Sequence, residues 1–250
     1  MFEHIIVGCD GSAGARDAVA LGARIASVLG SRLSLVGVFP SSLFPIPDKT
    51  DRKTLRAEAL GTLRRERDLL APDALIDAIA DFSVPHALRH CAERWHAGLV
   101  IVGSSQSAPL GHVAIGRFSR QLLYDAPFSL AVASRGLHER DTALRALGVG
   151  WDGGAEADAA LAAATELARA ANAQLLVRRV VEDRVPRLSM EEWMARLDQS
   201  HEEMWESARE PALAEAEAAA SRLEVQAKVS ATVGDPGYEM RALSEPSTSS

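Results

Sequence analysis

Cysteine, positive charge and long apolar runs are all scarce in this sequence, and each shortage excludes a class of protein. Two cysteines among 250 residues provide no disulfide framework, which fits a reducing compartment. A net charge of -7 argues against nucleic acid or an anionic membrane as the main partner, because both require a basic face. No apolar run approaches the roughly 20 residues that span a bilayer, and the first residues show no signal-peptide pattern. We therefore expect a cytoplasmic protein that binds neither nucleic acid nor membrane.

Several motifs that carry catalytic chemistry are also missing. The sequence has no Gly-x-x-x-x-Gly-Lys-Ser/Thr loop of the P-loop NTPases and no Gly-x-Gly-x-x-Gly after its first predicted strand. It has no Gly-x-Ser-x-Gly elbow of the α/β-hydrolases. A receiver domain would need a further acidic residue beside Asp10, where Cys9 stands instead. These absences disfavour each of those classes.

The stretch from Gly98 to Ser119 has the pattern of an anion-binding loop. It begins with an apolar run, residues 99–102, that is rich in β-branched side chains and too short for a helix, which predicts a buried strand. The strand pattern ends at Gly103, a polar loop follows, and Gly116 begins a helical pattern. Glycine lets a backbone approach a ligand closely, and a helix start offers free N–H groups with a positive dipole end. The rest of the first half is organised around this stretch.

Residues 1–135 predict a complete doubly wound α/β domain, with strands and helices in alternation. Ser12 is predicted to cap the first helix and Gly30 to end it. An apolar first strand followed by a helix and a second strand predicts a parallel sheet. The predicted strands cover residues 4–8, 33–39, 75–80, 99–102 and 128–133. The predicted helices begin near Ser12, Thr50, Pro85 and Gly116.

The second half repeats the first at an offset of about 142 positions, as direct comparison of the two halves shows. Val149-Gly-Trp-Asp-Gly153 corresponds to Val7-Gly-Cys-Asp-Gly11, and a series of alanines follows in register. We predict a helix over residues 156–171, strands over 174–181 and 223–230, and a helix start near Gly234. No counterpart of the 99–119 stretch or of the last strand follows, so the second copy is incomplete.

These patterns divide the chain into four parts. We expect an α/β domain over residues 1–135, a polar linker over 136–143, a second and truncated copy over 144–245, and a disordered tail over 246–250. Without its last strands, the second copy would leave its first strand, residues 147–151, as a bare edge and would be less stable. Met190, Trp193, Met194, Leu197 and Met204 stand at helical spacing and are interpreted as a packing surface rather than a cofactor site.

Three features together resemble the universal stress protein family in its tandem-domain form: Asp10 after the first strand, Gly103 and Gly116 thirteen residues apart, and two tandem copies. The resemblance covers nearly the whole chain. It implies a flavodoxin-like doubly wound parallel sheet with strand order 3-2-1-4-5 in the first half. Many members of the family bind ATP through a loop of Gly, two residues, Gly, nine residues and Gly-Ser/Thr.

The first half keeps the spacing of that loop and changes two of its residues. Gly103 matches the first glycine and Gly116 the last, whereas Gln106 stands at the middle glycine and Arg117 at the Ser/Thr position. The hydroxyl two positions later is present as Ser119. Gln106 would disfavour a left-handed backbone, and Arg117 would either supply a charged phosphate contact or fill the site.

The resemblance further implies a role for residues outside the loop. Asp10 matches the acidic residue at the nucleotide ribose, Val38 lies where the second strand meets the base, and Val102 precedes the loop. The predicted ATP site therefore consists of Cys9, Asp10, Val38, Val102, Gly103, Gly116, Arg117, Phe118 and Ser119.

Each of these assignments has a purely structural alternative. The loop could be an ordinary βα turn whose glycines permit tight packing, and Asp10 could stabilise an Asp-Gly-Ser turn. Asp152 has the same local sequence without a loop beside it, so we interpret it as structural. His86 and His90 share a helix face but have no second ligand cluster, so we predict no metal site.

The resemblance and the residues together favour a non-enzymatic stress protein whose first domain binds ATP as a regulatory ligand. The alternative is a nucleotide-free protein that acts as a dimeric interaction module, which Gln106 and Arg117 favour. Slow ATP hydrolysis lacks an evident general base or a pair of metal-binding carboxylates. An unpaired apolar edge strand from Phe128 to Ala133 predicts a homodimer through that strand.

Overall fold

The computed structural model describes residues 2–41, 52–124, 126–140, 143–182 and 201–244. The chain divides into two compact units, Met1–Ala143 and Leu144–Ser250. The predicted loop after Pro40, the tail and most of the Met- and Trp-rich segment lie outside the described residues. Within the described ranges, no helix is both long enough and apolar enough to cross a membrane.

The first unit is a five-stranded parallel sheet with helices between its strands. Its strands pair in the order β3-β2-β1-β4-β5, which confirms the flavodoxin-like order implied by the resemblance. The strands are β1 (His4–Gly8), β2 (Arg32–Pro40), β3 (Leu75–Asp81), β4 (Leu99–Gly103) and β5 (Ser129–Ala133). The helices are α1 (Ala13–Leu29), α2 (Arg52–Leu70), α3 (Val84–Arg94) and α4 (Arg117–Leu123), and a 3-10 turn covers Leu137–Glu139.

Local sequence signals explain where these elements begin and end. The Ser12 side chain accepts the N–H of Ala15 and caps α1, and Gly30 ends the helix in a left-handed conformation with φ 65°. Ser83 caps α3 by accepting the N–H of His86. β1 is buried along nearly its whole length, as expected of a central parallel strand covered on both faces.

The order of the strands reverses between β1 and β4. β1 leads through α1 to β2 on one side, whereas β3 leads through α3 to β4 on the other. The paired register, with Ile5 opposite Leu99 and Val7 opposite Ile101, brings the carboxyl ends of these two strands together. In open parallel sheets a ligand crevice forms at this kind of switch point. The fold therefore places the 103–116 loop beside the end of β1.

The second unit contains a three-stranded parallel sheet of order β6-β7-β8. Its elements are β6 (Ala146–Gly150), α5 (Ala155–Ala171), β7 (Gln174–Glu182), α6 (His201–Ala220), β8 (Ala227–Gly234) and α7 (Pro236–Ser244). Among the described residues, β6 pairs with β7 and with no other strand. Its core packs Val149, Leu161, Leu175, Val177 and Ala216 together.

One predicted strand of the second unit is wrong in its bounds. The sequence predicts a strand over residues 223–230, but β8 begins four residues later, at Ala227, and extends to Gly234. Ser221 and Leu223 donate their N–H groups to the carbonyls of Glu217 and Ala220, which closes the end of α6. Alternation of apolar side chains cannot separate such a closing turn from the strand that follows.

Candidate functional site

A cavity of about 460 Å³ opens at the carboxyl ends of β1, β2 and β4. Its walls come from the β1–α1 turn, the 103–116 loop and the start of α4. The structure brings every residue of the predicted site to this one cavity: Cys9, Asp10, Val38, Val102, Gly103, Gly116, Arg117, Phe118 and Ser119. Residues from four separate segments of the chain therefore meet where the strand order reverses.

Asp10 is exposed at the mouth of this cavity. Its Oδ1 accepts the N–H of Ser12 at 2.9 Å, which is the turn that a structural interpretation of Asp-Gly-Ser expects. Within the described part of the chain, its other carboxylate oxygen makes no hydrogen bond. One oxygen of Asp10 thus stabilises the turn, and the other, in a residue that lines the cavity, has no hydrogen-bond partner among the described residues.

The inner wall of the cavity is apolar and uncharged. Val38 on β2 and Val102 on β4 are half-buried on the two strands that flank β1, and Leu88 contributes a fully buried side chain from α3. Burial raises the pKa of the Cys9 thiol to about 11, so the thiol is neutral near pH 7 and is not an activated nucleophile. This wall suits a flat, apolar ligand group rather than covalent chemistry.

Gly103 has a structural reason to be glycine. A Cβ at this position would lie 2.2 Å from the carbonyl oxygen of Gly14, on the first turn of α1. The close approach of α1 to the end of β4 therefore requires a residue without a side chain. Gly103 by itself does not distinguish a ligand loop from a tightly packed turn.

At Gly116, by contrast, no contact within the protein requires a glycine. Its φ of -74° is open to any residue, and a Cβ there would have Ser105 Cβ as its nearest neighbour, at 3.9 Å. Neither backbone strain nor packing excludes a side chain at this position. Glycine instead keeps open the part of the cavity next to the first N–H groups of α4.

The two departures from the family's loop pattern cause no strain in the fold. Gln106 is not left-handed, since His96 and Asn172 are the non-glycine residues with positive φ among those described. The left-handed turn of the loop is made by Gly111, with φ 82°. Arg117 is exposed and forms neither a hydrogen bond nor an ion pair with the described residues, so its guanidinium is available to an anion.

Arg135 holds the loop in place, although no sequence motif indicates this role. Its guanidinium donates to the carbonyl oxygens of Gln106 at 3.2 Å and Ala108 at 2.8 Å. Its backbone accepts the N–H of Gly111 and donates to the carbonyl of His112. A single arginine just after a predicted strand belongs to no recognised motif, so its contacts with the loop could not be predicted from the sequence.

Asp17 fixes the segment that carries Arg135. This carboxylate is 1% exposed on α1, and it accepts the N–H groups of Gly136 and His138 at 2.9 Å and the His138 Nδ1 at 2.6 Å. Burial raises the pKa of Asp17, but the hydrogen bonds from His138 and Gly136 outweigh it and hold the pKa below its ordinary value. A charged residue among the buried positions of α1 was the available signal for this role.

The described residues contain no group of three or more His, Cys, Asp or Glu side chains that could hold a metal ion. His86 instead pairs with Asp81, with 2.7 Å between Nδ1 and Oδ2. Cys91 is buried, and burial raises the pKa of its thiol to about 11. His86 and Cys91 therefore have structural environments, while His90 is exposed on α3.

Comparisons with known proteins agree with this fold. The profile of the universal stress protein family matches residues 1–134. The solved structure of a universal stress protein from Archaeoglobus fulgidus is 15% identical, with a TM-score of 0.63 over 97% of this chain and 83% of that chain. A functionally unknown protein from Pseudomonas aeruginosa PAO1 is 16% identical, with a TM-score of 0.57 over 94% of this chain and 74% of that chain.

A third solved structure, a universal stress protein in complex with cAMP, is 16% identical, with a TM-score of 0.43 over 54% of this chain and 98% of that chain. At these identities the likeness to solved structures concerns the fold alone. No curated protein sequence matches the chain. The family profile, however, spans the whole five-stranded sheet and more than half of the 250 residues, so the chain belongs to the universal stress protein family.

Proposed function

We propose that the first unit binds an adenine nucleotide, ATP, as a regulatory ligand, and that the protein acts in the cytoplasm in a stress response without being an enzyme. The observation that carries this proposal is Gly116. It lines the cavity at the start of α4, and neither its backbone conformation nor its protein neighbours require a glycine. A ligand that approaches the backbone closely explains the residue.

The proposed ligand is matched to the cavity group by group. The apolar wall with Val38 takes the base, and the free oxygen of Asp10 accepts a ribose hydroxyl. The phosphates lie against the backbone around Gly103 and Gly116, with the guanidinium of Arg117 as a charge partner. Ser119, which is 4% exposed, closes the floor of this end.

The lining of the cavity supports binding rather than catalysis. Asp10 is the one carboxylate among the described residues that line it, no histidine contributes, and the Cys9 thiol is neutral. Phosphoryl transfer needs a group that orients the nucleophile and ligands for a metal ion. The proposal therefore assigns ATP a regulatory role.

Isothermal titration calorimetry with ATP tests the proposal. The wild-type chain should bind ATP, and Gly116→Glu should abolish the heat because the added carboxylate fills the open space and repels phosphate. The matched control is Gly61→Glu on α2, which adds the same side chain outside the cavity, where an added Cβ has Arg65 Nη1 at 3.9 Å as its nearest neighbour. Equal ATP affinity in wild type and Gly116→Glu would overturn the proposed site.

The alternative function, a nucleotide-free interaction module, also has an observation in its favour. Leu110, Val113 and Ile115 on the loop are 63%, 49% and 46% exposed, and Phe118 beside them is 56% exposed. Several exposed apolar side chains within one short segment are typical of a protein contact surface. Absence of heat at millimolar ATP, with a partner or second copy bound through this surface, is the result that favours the alternative.

A further inference from the structure

A second cavity, of about 610 Å³, lies at the amino ends of β1, β2 and β3. It begins at His4, the first residue of β1, whereas the proposed nucleotide site begins at Gly8, the last residue of the same strand. At about 3.3 Å per residue, the four steps along β1 separate these two residues by about 13 Å. The two cavities therefore belong to opposite ends of the sheet and share no lining residue.

The amino-end cavity carries two cations without partners. Arg32 and Arg94 are exposed at its rim, and within the described ranges neither guanidinium forms a hydrogen bond or an ion pair. The nearby carboxylate of Asp77 pairs with Arg56 at 3.3 Å and accepts the N–H of Ala78 at 2.8 Å. The cavity thus offers two guanidinium groups to an anion. The negative charge of Asp77 disfavours an anion that carries more than one charge.

The floor of this cavity is aromatic and rigid. His4 is 6% exposed, and its Nε2 lies 2.8 Å from Ser34 Oγ, while its Nδ1 lies 3.3 Å from the carbonyl oxygen of Trp95. The His4 and Trp95 rings stack with centroids 5.9 Å apart and an angle of 20° between their planes. Leu75 adds an apolar side chain that is 57% exposed. A flat apolar body would cover this exposed surface.

His96 at the rim occupies a position that glycine usually holds. α1 ends with Gly30 and α5 with Asn172 in the left-handed conformation, whereas His96 adopts a φ of 51° just after α3. A side chain in this conformation is less favourable than glycine, and non-glycine residues held in it are enriched at functional sites. The imidazole of His96 lines the cavity beside Arg94 and Trp95.

We propose that this cavity binds a small organic carboxylate with a flat apolar body, its carboxylate paired with Arg32 and Arg94 and its body packed on Trp95 and Leu75. The site is separate from the proposed nucleotide site and does not depend on it. Because a single carboxylate matches the two guanidinia and tolerates Asp77, we expect it to bind more tightly than inorganic phosphate.

Nuclear magnetic resonance of the ¹⁵N-labelled full chain, titrated with benzoate, tests this site. The resonances of the Trp95 indole N–H and of the backbone N–H groups of Arg32 and His96 should shift until binding saturates. The resonances of the Gly103 and Gly116 N–H groups should not change. Inorganic phosphate at the same concentration should shift them less. Absence of saturable shifts with benzoate, or equal affinity for phosphate, would overturn the proposal.

Two sets of variants assign the binding to named groups. Arg32→Gln with Arg94→Gln should weaken benzoate binding at least tenfold, and the matched control, Arg64→Gln with Arg222→Gln, makes the same change of charge at exposed positions outside both cavities. His96→Gly should raise the midpoint of thermal unfolding yet weaken benzoate binding, so a loss of binding cannot come from misfolding. Unchanged affinity in the arginine pair or in His96→Gly would contradict the assigned contacts.

Discussion

His4 shows how burial makes a single side chain sensitive to pH. Burial and the positive charge of Arg32 both lower the pKa of His4, whereas the hydrogen bond to the carbonyl of Trp95 raises it. Burial is the largest effect, so the pKa lies below its ordinary value. The folded chain therefore binds fewer protons at this site than the unfolded chain, whose histidine titrates near about 6.5. This contribution to stability is complete above about pH 6.5 and is lost as the pH falls below that value towards the lowered pKa.

The change that tests this is His4→Gln. The variant should lose the part of the pH dependence that lies below about pH 6.5, and it should cost about 1 kcal/mol at neutral pH through the lost contact with Ser34. Urea unfolding across that pH range measures both effects. His90→Gln, at an exposed position of α3, is the control, and a His4→Gln profile parallel to wild type would show the account of His4 to be wrong.

Asp17 is the second residue on which much depends, because one carboxylate satisfies three donors. Asp17→Asn replaces one accepting carboxylate oxygen with an NH₂ group, which donates and cannot accept. We therefore expect a loss of about 1–3 kcal/mol in the free energy of unfolding. Since the pKa of Asp17 is lowered, the wild-type contribution is present above about pH 3.9 and disappears as the pH falls through the lowered pKa.

Asp68→Asn provides the comparison for Asp17. Asp68 pairs with Arg67 at 2.7 Å on the surface, where its side chain is 64% exposed, so we expect its loss to cost less than about 0.5 kcal/mol. Chemical denaturation of both variants measures the difference. Equal losses in the two variants would contradict the role of Asp17 as a buried anchor.

At the scale of elements, the 103–116 loop depends on a segment that follows β5. Arg135→Gln removes the contact that Nη1 makes with the carbonyls of Gln106 and Ala108, so the loop amides should exchange hydrogen faster. Under the proposed function, ATP affinity should fall about tenfold, because a less ordered loop must be fixed on binding. Arg135→Lys keeps the charge but loses the planar guanidinium that places Nη1 between the two carbonyls. If it matched wild type in both hydrogen exchange and affinity, charge rather than geometry would hold the loop.

The edge strand β5 carries the proposed homodimer. It pairs with β4 on one side, and no other described strand pairs with it. We expect light scattering at high micromolar concentration to give a dimer, and we expect Ser129→Lys, at an exposed position of the strand, to shift it towards a monomer. Ser221→Lys in the second unit serves as the control. A wild-type monomer would exclude dimerisation through β5.

Sequence patterns predict the elements of the first unit well and their tertiary polar contacts poorly. Capping residues such as Ser12 and Gly30 act locally, so their roles are visible in a few neighbouring positions. The contact of Asp17 with Gly136 joins residues 119 positions apart. The hydrogen bond from Arg135 to Ala108 depends on the position of the segment that follows β5. Such contacts exist only once the fold has formed, so composition and spacing do not contain them.

At the scale of the whole molecule, we expect the second unit to be less stable than the first. The described residues contain two buried side-chain atoms without a hydrogen-bond partner, Arg179 Nε and Thr232 Oγ1, and both are in the second unit. Each such group costs about 1–3 kcal/mol. The second unit also has a β6 that pairs on one side among the described residues.

We therefore predict that limited proteolysis cuts the second unit before the first. Fragments ending near residue 143 should accumulate, and peptides from α5 and β7 should appear early. Thr232→Val, which removes one unpaired hydroxyl, should slow this cleavage, whereas Thr54→Val on the exposed side of α2 should not. Equal protection of both units against the protease would contradict the prediction.

The measurement that tests the central claim most directly is the number of ATP molecules bound per full-length chain, from calorimetry of wild type and Gly116→Glu. The account predicts one site per chain, because the residues proposed to hold the nucleotide all lie in the first unit, and it predicts that Gly116→Glu removes that site. No heat at millimolar ATP, or a site that survives Gly116→Glu, would contradict it.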